Sequence, residues 1–457
     1  MKIASITLAA GYGKRMLSKK HKVLHELVGK PLIWHALQAL IGVSDLPPVV
    51  VVGQSAEEVK AAVSKSFGGQ VQFAFQAEQL GTGHAVQSAQ HLLEGQSDLV
   101  VVTLADMPLL SAQTVNSIIQ HHIETQAVLT MTSIVGDVPR GFGRVLRAAD
   151  GHVIGIMEEA AASPEQLKIR EYNISAYCFS ADWLWKNLSL IPISPKGEYY
   201  ITDLVSMAVS QGQRVESLIW EDPVEGLGIN TRVDLADCEM ALRRRINTRH
   251  MLAGVSMDDP ASILIEPDVE IAADATILQG SRLCGKTKIG ADSVIGPFTT
   301  LVDTTVGEGC CILQSVTKDA TVGNHVSMGP FCHLRPKAVL KDGVHMGNFG
   351  EVKDSTLDEG VKMGHFSYIG NAHIGRNVNI GAGTITCNYD GNLKNPTEIG
   401  ENTFIGSDTM LVAPLKIGKD AITGAGSVVT HDVADGELVI GVPARPHPRK
   451  PSQRECQ

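Results

Sequence analysis

From Pro260 onward, aliphatic residues recur at every sixth position: Ile265, Ile271, Ile277, Leu283, Ile289, Ile295 and Leu301. With roughly one residue in four being Ile, Leu or Val, seven consecutive matches arise by chance about once in 10⁴ trials, so the period is a structural signal. It resumes at Ile374 and Ile380 and again at Ile399, Ile405, Leu411 and Ile417, with Gly375, Gly381, Gly400, Gly406 and Gly418 next in line. A six-residue side that points one aliphatic inward and turns at a small residue builds a triangular, left-handed parallel β-helix. Three sides make a coil of about 18 residues that rises by roughly one strand spacing, ~4.8 Å, and about nine or ten coils fit the remaining length. Phase breaks near Thr304, from Leu334 to His345 and from Thr386 to Thr397 predict loops that leave the coil there.

Before that repeat the pattern is different. Short β-like runs (Ile3 to Leu8, Val49 to Val52, Val71 to Phe75, Leu99 to Leu104) alternate with helical stretches such as Pro31 to Ile41. Such alternation predicts a Rossmann-like α/β domain over residues 1–230 with a largely parallel sheet. Residues 233–252 contain no Gly or Pro and place Leu235, Leu242 and Ile246 on roughly one helical face, which predicts a linker helix over 231–253. Its Arg243, Arg244 and Arg245 read as a solvated face. The β-helix then occupies 254–457, with a flexible Pro-rich tail from about Pro443.

At 457 residues, a division into two domains is what chain length alone leads one to expect. Composition sharpens this: aromatics are only 5% while glycines number 45, a balance that suits tight repeated turns. A net charge of -10 argues against a nucleic-acid partner or an anionic membrane held by bulk charge, so any phosphate must be gripped locally. The eight cysteines include no CxxC pair and no metal-site spacing, which fits free thiols in a reducing cytoplasm. The first apolar run breaks at Gly11 and Gly13, too soon for a signal-peptide core or a membrane span.

The candidate chemistry lies in two clusters of motifs. LAAGYGKRM puts a Gly-rich turn after the first strand, where Gly11 and Gly13 let backbone approach a phosphate and Lys14 and Arg15 add charge. Lys22, the segment QAEQLGTGHA from Gln76 to Ala85, and LADMP from Leu104 to Pro108 follow. Asp106, at a strand's C-terminal end, suits a Mg²⁺ ligand. This set resembles the sugar nucleotidyltransferases, which join a nucleoside triphosphate to a sugar 1-phosphate and release pyrophosphate. That resemblance implies Asn230 as the second metal ligand, and Arg15 and Lys22 on the phosphates. It also implies Leu8, Gly11, Gln76, Gly81 and Thr82 around the nucleotide, and Gly143, Glu158, Asn173, Tyr200 and Thr202 on the sugar.

Farther on, HLRP (333–336), GNFGEVK (347–353), GHFSYIGN (364–371) and NIGAGTITCNYDG (379–391) stand within the repeat. Together with the N-terminal motifs they make the chain similar, nearly end to end, to the bifunctional N-acetylglucosamine-1-phosphate uridylyltransferase/glucosamine-1-phosphate N-acetyltransferase family. The resemblance implies that glucosamine 1-phosphate is acetylated from acetyl-CoA in the β-helix and the product joined to UMP from UTP in the N-terminal domain. The UDP-N-acetylglucosamine so made feeds peptidoglycan and lipopolysaccharide. Acetyl transfer needs a base for the attacking amine, and His365 suits that role. The resemblance places Arg335 and Lys353 on the sugar phosphate, Tyr368, Asn379 and Asn388 around the sugar, and Glu351 in support. The same likeness implies that Ala382, Asn388, Tyr389, Ser407 and Ala425 line the acetyl-CoA channel and that a homotrimer assembles through the β-helix.

Several positions depart from the family pattern. Leu104-Ala105 stands for Tyr-Gly, Ile174-Ser175 for Thr-Gly, Ala160 for a Lys, His21 for a Pro and Gly350 for a Val. The first two pairs touch the uridylyltransferase pocket, so altered sugar or nucleotide preference is expected. LADMP also resembles the molybdopterin-cofactor nucleotidyltransferases. Near the C-terminus, Arg445, Arg449 and Lys450 are candidates for the coenzyme-contacting Arg of the family. Two other readings compete: a single-activity nucleotidyltransferase with a structural or regulatory β-helix, and a non-enzymatic scaffold. The grouping of Arg335, Lys353, His365, Tyr368 and Asn388 weighs against the first, and Arg15, Lys22, Asp106 and Asn230 against the second.

Overall fold

The computed structural model describes residues 1–136 and 141–448 and divides into two compact units, Met1–Leu242 and Arg243–Gln457. The first is built on β1 (Ile3–Leu8), β2 (Val49–Val52), β3 (Gln72–Phe75), β4 (Leu99–Leu104), β5 (Leu129–Val135), β6 (Arg144–Arg147), β7 (Val153–Met157), β8 (Glu171–Ser180) and β9 (Val215–Ile219). Their order in the sheet is β9-β5-β8-β4-β1-β2-β3, with β6 joined to β8 and β7 to β6. The pairs around β1 are parallel and β8 is antiparallel to both neighbours. All four residues of β2 are buried, as are the first five of β4, because helices cover both faces of a parallel sheet.

The chain passes from β1 to β2 and β3 on one side and returns to β4 on the other. Such a reversal opens a crevice beyond the carboxyl ends of the two diverging strands. The register Leu8↔Leu104 brings the Gly-rich turn after β1 and Asp106 after β4 to that one place.

In the second unit, parallel two- to four-residue strands stack into three faces. The inward positions of one face are Leu283, Leu301, Thr317, Leu334, Val352, Ile369, Thr386, Leu411 and Val429, each at most 1% exposed. Where Thr interrupts this column its hydroxyl is satisfied, Thr317 by Thr304 at 2.7 Å and Thr386 by the Gly370 carbonyl at 3.2 Å. Corners are turned in the left-handed region by Asp274, Asp292, Asn377, Asn402, Asp408 and Asp420, short polar side chains that tolerate it. Phe331, Phe349 and Phe366 take the same conformation and form an exposed stack, centroids 5.3 and 4.9 Å apart.

The sequence reading placed one loop well and two badly. Successive coils differ by 18 residues at Thr276↔Val294, 16 at Cys311↔Ser327 and 17 at Lys362↔Asn379, but by 25 at Ala372↔Thr397. The extra length falls after Cys387, as expected from the break at Thr386. No loop leaves at Thr304, where the coil simply takes fewer residues between Val302 and Thr305. Nor does one leave between Leu334 and His345, since Leu334, Leu340 and Met346 keep the period of six and are buried. Met in place of Ile, Leu or Val hid that coil, although its flexible side chain fills a core position equally well.

The helix Arg232–Leu252 connects the two units. Arg243 is not a solvated side chain: its Nη2 donates to the carbonyls of Ala261 (2.8 Å) and Ile263 (3.1 Å), and Asn247 Nδ2 donates to those of Pro260 and Ile263. These bonds anchor the start of the first coil. At the other end Ala444–Pro446 pairs antiparallel with Leu438–Gly441, so the expected flexible tail includes residues built into a face. Arg449 and Lys450 lie outside the described residues.

Candidate functional sites

In the first unit a cavity of about 420 Å³ sits at the crevice and is lined by Leu8, Gly11, Arg15, Lys22, Gln76, Gly81, Thr82, Asp106, Tyr200 and Asn230, all expected from the sequence. Lys22 Nζ lies 2.6 Å from Asp106 Oδ2 and 2.8 Å from Asn230 Oδ1. The two oxygens therefore converge on one cation-sized point, although the residues are 84 and 208 positions from Lys22 in sequence. Their main chains are held: Ile229 N–H donates to the Asp106 carbonyl, and the Asp234 carboxylate accepts from the N–H groups of Asn230 and Thr231 while Thr231 caps the following helix by accepting from Asp234 N–H. Gly13 has φ 63°, and a Cβ there would lie 2.5 Å from Lys22 Cβ, so only glycine lets the turn close over the lysine stem. Gln76 is buried, its Nε2 donating to the Gly81 carbonyl at 3.1 Å.

A neighbouring cavity of about 630 Å³ shares Thr82, Leu104 and Tyr200 with the first and adds Glu158, Glu159, Ser175, Tyr177, Lys196 and Thr202. Glu158 accepts from Thr202 Oγ1 at 3.1 Å, and burial pushes its carboxyl above the usual range. Two sequence-derived residues are not on this wall. Gly143 sits behind Glu158, whose Oε1 is 3.7 Å from where its Cβ would be, and Asn173 is buried behind Tyr177, its Nδ2 donating to the Tyr177 hydroxyl at 2.7 Å. Ser175 and Tyr177 line the cavity from β8 instead.

The β-helix site follows from register. The pairs Met346↔Met363, Met363↔Ile380, Ile380↔Ile405 and Ile405↔Thr423 put Asn348, His365, Ala382, Ser407 and Ala425 in one column on successive coils. The His365 ring bonds through Nδ1 to Asn348 Oδ1. An amide oxygen only accepts, so Nδ1 is the donor in this bond and Nε2 is the ring nitrogen left free of it. Around the corner Glu351 pairs with Tyr368, and Arg335 Nη1 lies 2.9 Å from Glu351 Oε1. A Cβ at Gly370 would come within 2.4 Å of the Tyr368 hydroxyl and 2.9 Å of Asn388 Nδ2, so glycine clears the floor beneath both. Asn388 is buried and donates to Asn371 at 2.7 Å, while Tyr389 is exposed and donates to the Gly391 carbonyl at 2.5 Å. Asn379 stands on the same face as His365, between Lys362 and Phe404 of the neighbouring coils.

Sequence reasoning missed Asn348 and Lys394. Asn348 stands 17 residues before His365, one coil away, and was findable only once coil length was known. Lys394, on the inserted loop, is close enough to Lys353 to push its ammonium pKa down, with Arg335 adding to the effect. Arg335, Lys353 and Lys394 thus form a cationic cluster suited to a phosphate.

These two sites define the class: a nucleoside-triphosphate transferase domain carried with a hexapeptide transferase. Residues 5–164 match the family described as MobA-like NTP transferase domain, and residues 396–431 match the bacterial transferase hexapeptide (six repeats). Three curated relatives, each called bifunctional protein GlmU, align over nearly the whole chain. That of Geobacillus sp. (strain WCH70) is 41% identical over 95% of this chain and 94% of its own. Those of Caldanaerobacter subterraneus subsp. tengcongensis and Streptococcus thermophilus are each 42% identical over 96% of this chain, and over 95% and 94% of their own. The chain belongs to the bifunctional GlmU family.

Proposed function

We infer that the chain is a bifunctional enzyme of UDP-N-acetylglucosamine synthesis. The observation that carries this reading is that identity to the bifunctional relatives runs through both units and each unit holds its own polar constellation. In the β-helix the amine of glucosamine 1-phosphate attacks the thioester carbonyl of acetyl-CoA. His365 Nε2 takes the amine proton as the C–N bond forms, and coenzyme A leaves as the C–S bond breaks. Asn348 holds the ring in the tautomer that can do this, and Arg335, Lys353 and Lys394 hold the sugar phosphate, with Glu351 orienting Arg335. Tyr368, Asn379 and Asn388 surround the sugar, and Ala382, Tyr389, Ser407 and Ala425 give the coenzyme a shallow track.

In the first unit the phosphate of N-acetylglucosamine 1-phosphate attacks the α-phosphorus of UTP and pyrophosphate departs. Arg15 and Lys22 neutralise the triphosphate, and Gln76, Gly81 and Thr82 hold the uridine. Glu158, Tyr200 and Thr202 hold the sugar. Asp106 and Asn230 supply two hard oxygen donors at one point, a set that fits Mg²⁺. Bound there, Mg²⁺ would neutralise charge on the phosphates. Among the described residues no group of three or more His, Cys, Asp or Glu could hold a metal, so Asp106 and Asn230 are the side chains that would hold the ion. Residence in the cytoplasm and assembly as a trimer belong to the same reading. The exposed Phe331, Phe349 and Phe366 stack beside His365 supports subunit contact, and sedimentation equilibrium reads the mass. Among the described residues no helix is long and apolar enough to cross a membrane.

The test supplies glucosamine 1-phosphate, acetyl-CoA, UTP and Mg²⁺ to the purified protein and follows free coenzyme A and pyrophosphate separately. Both are released, and omission of acetyl-CoA stops pyrophosphate as well. Pyrophosphate without coenzyme A would leave only the single-activity nucleotidyltransferase.

A further inference from the structure

Gln76 follows β3 and lies in the wall of the first cavity, its backbone N–H donating to the Val52 carbonyl at 2.8 Å. Its side-chain amide is held at one end only. Nε2 lies 3.1 Å from the Gly81 carbonyl and 3.1 Å from Nδ1 of His84. A carbonyl only accepts, so the end of the amide at Gly81 is the NH₂ group; an amide nitrogen only donates, so His84 Nδ1 is the acceptor in the second bond. Both amide hydrogens are then engaged, and Oε1, which accepts from no group among the described residues, is the end left to a ligand. The two partners belong to one short helix, Thr82–Ser88, with Gly81 at its N-cap and His84 in its first turn. The start of that helix is itself fixed, since Gly83 N–H donates to the Tyr199 carbonyl at 2.8 Å and Tyr199 N–H to the Leu80 carbonyl at 2.7 Å. Thr82 and Ala85 line the cavity but His84 does not, so His84 reaches a ligand only through Gln76.

A primary amide can be turned over with almost no change of shape, and what it reads turns over with it. With the oxygen presented it accepts from a base N–H; with the NH₂ presented it donates to a base nitrogen lone pair. Turned over here, Oε1 would meet two acceptors, the Gly81 carbonyl and His84 Nδ1. Uracil carries an imide N–H on its pairing edge where cytosine carries a lone pair. We propose that His84 is a positioning residue for base choice: it locks the Gln76 amide with its oxygen presented, so that the site takes a uracil ring and refuses a cytosine. This rests on the uridylyltransferase reading above. A buried acceptor left unpaired against the wrong base is the source of the discrimination.

The test compares the affinities of the full chain for UTP and CTP by titration calorimetry with Mg²⁺, and then kcat/KM for each nucleotide with N-acetylglucosamine 1-phosphate as acceptor. His84→Phe keeps a ring of similar size and removes the acceptor. Its ratio of UTP to CTP affinity falls about fivefold or more, the worth of one neutral hydrogen bond, while the KM for the sugar phosphate stays within about twofold. His84→Asn puts an amide oxygen where Nδ1 stood and restores most of the ratio, which a merely structural role would not do. Should His84→Phe fail to fold, His84→Ala carries the same comparison with His84→Asn. An unchanged ratio in the variant without an acceptor, or a ratio lost equally in His84→Asn, overturns the proposal. If the unaltered protein binds neither nucleotide, the uridylyltransferase reading itself fails; if it binds both equally, that reading stands and the proposal alone falls.

Discussion

The two sites solve the problem of positioning in opposite ways. In the first unit the groups come from segments far apart in sequence, Lys22, Asp106 and Asn230 among them, and meet because strand order reverses beside β1. In the β-helix the groups recur at one-coil intervals, and each is placed by the pairing of its neighbours. The first arrangement encloses: Lys22 is 7% exposed. The second presents: His365 and Ser407 are exposed on an open face of the chain. On the proposed reading, enclosure would let the two oxygens hold a cation against the phosphates, whereas an open ladder would leave room for a long coenzyme.

That contrast can be broken one site at a time. Asp106→Asn removes a charged oxygen at the convergent point and should lower pyrophosphate release by about 10³-fold or more, leaving coenzyme A release unchanged. A variant that kept uridylyl transfer would remove Asp106 from the metal site. His365→Ala should lower acetyl transfer by about 10²- to 10⁴-fold with uridylyl transfer intact. Parallel loss of both activities would contradict independent sites. Asn348→Ala leaves the imidazole but frees its orientation, and acetyl transfer should fall about 10- to 100-fold, less than in His365→Ala. An equal loss in the two variants would mean that Asn348 does more than orient.

The smallest effect concerns pH. Burial lowers the pKa of His35 and His122 in the first unit to about 4. A base depressed on folding binds fewer protons in the folded than in the unfolded chain between about 4 and 6.5, so its stabilising contribution is complete above 6.5 and shrinks as pH falls toward 4. The coils carry carboxylates held low instead, such as Asp358 and Glu401, which lose stability only in more acid solution. Calorimetry at pH 7 and pH 5 should therefore show the transition of the first unit moving down further than that of the second, where burial also lowers the pKa of His250. His35→Gln should reduce that shift; a shift shared equally by both units would count against this assignment.

How much of this was legible depended on the kind of information each element carries. The period of six disclosed the β-helix because burial in a coil is one-dimensional, so Ile265 to Leu301 announce their own neighbours. It failed where Met346 stood for an aliphatic residue and where Thr304 marked a shortened side, since pattern counts residue types and not rise along the axis. In the first unit, motifs gave the cavity lining from Leu8 to Asn230 almost completely. Asn173 lies within a bulged stretch of β8, its amide bonded to the Tyr177 hydroxyl rather than on the cavity wall itself, and no alternation of apolar and polar residues records a bulge.

The column Asn348, His365, Ala382, Ser407 and Ala425 is also a ruler. Each graduation is one coil, so on the proposed placement the distance from the base to the last coenzyme contact is three graduations, roughly 14 Å along the axis at the spacing of paired strands. The reach of the coenzyme arm is thereby written as a whole number of turns. Deleting one complete turn between His365 and Ala425 would preserve every local pairing and still misread the length by one division.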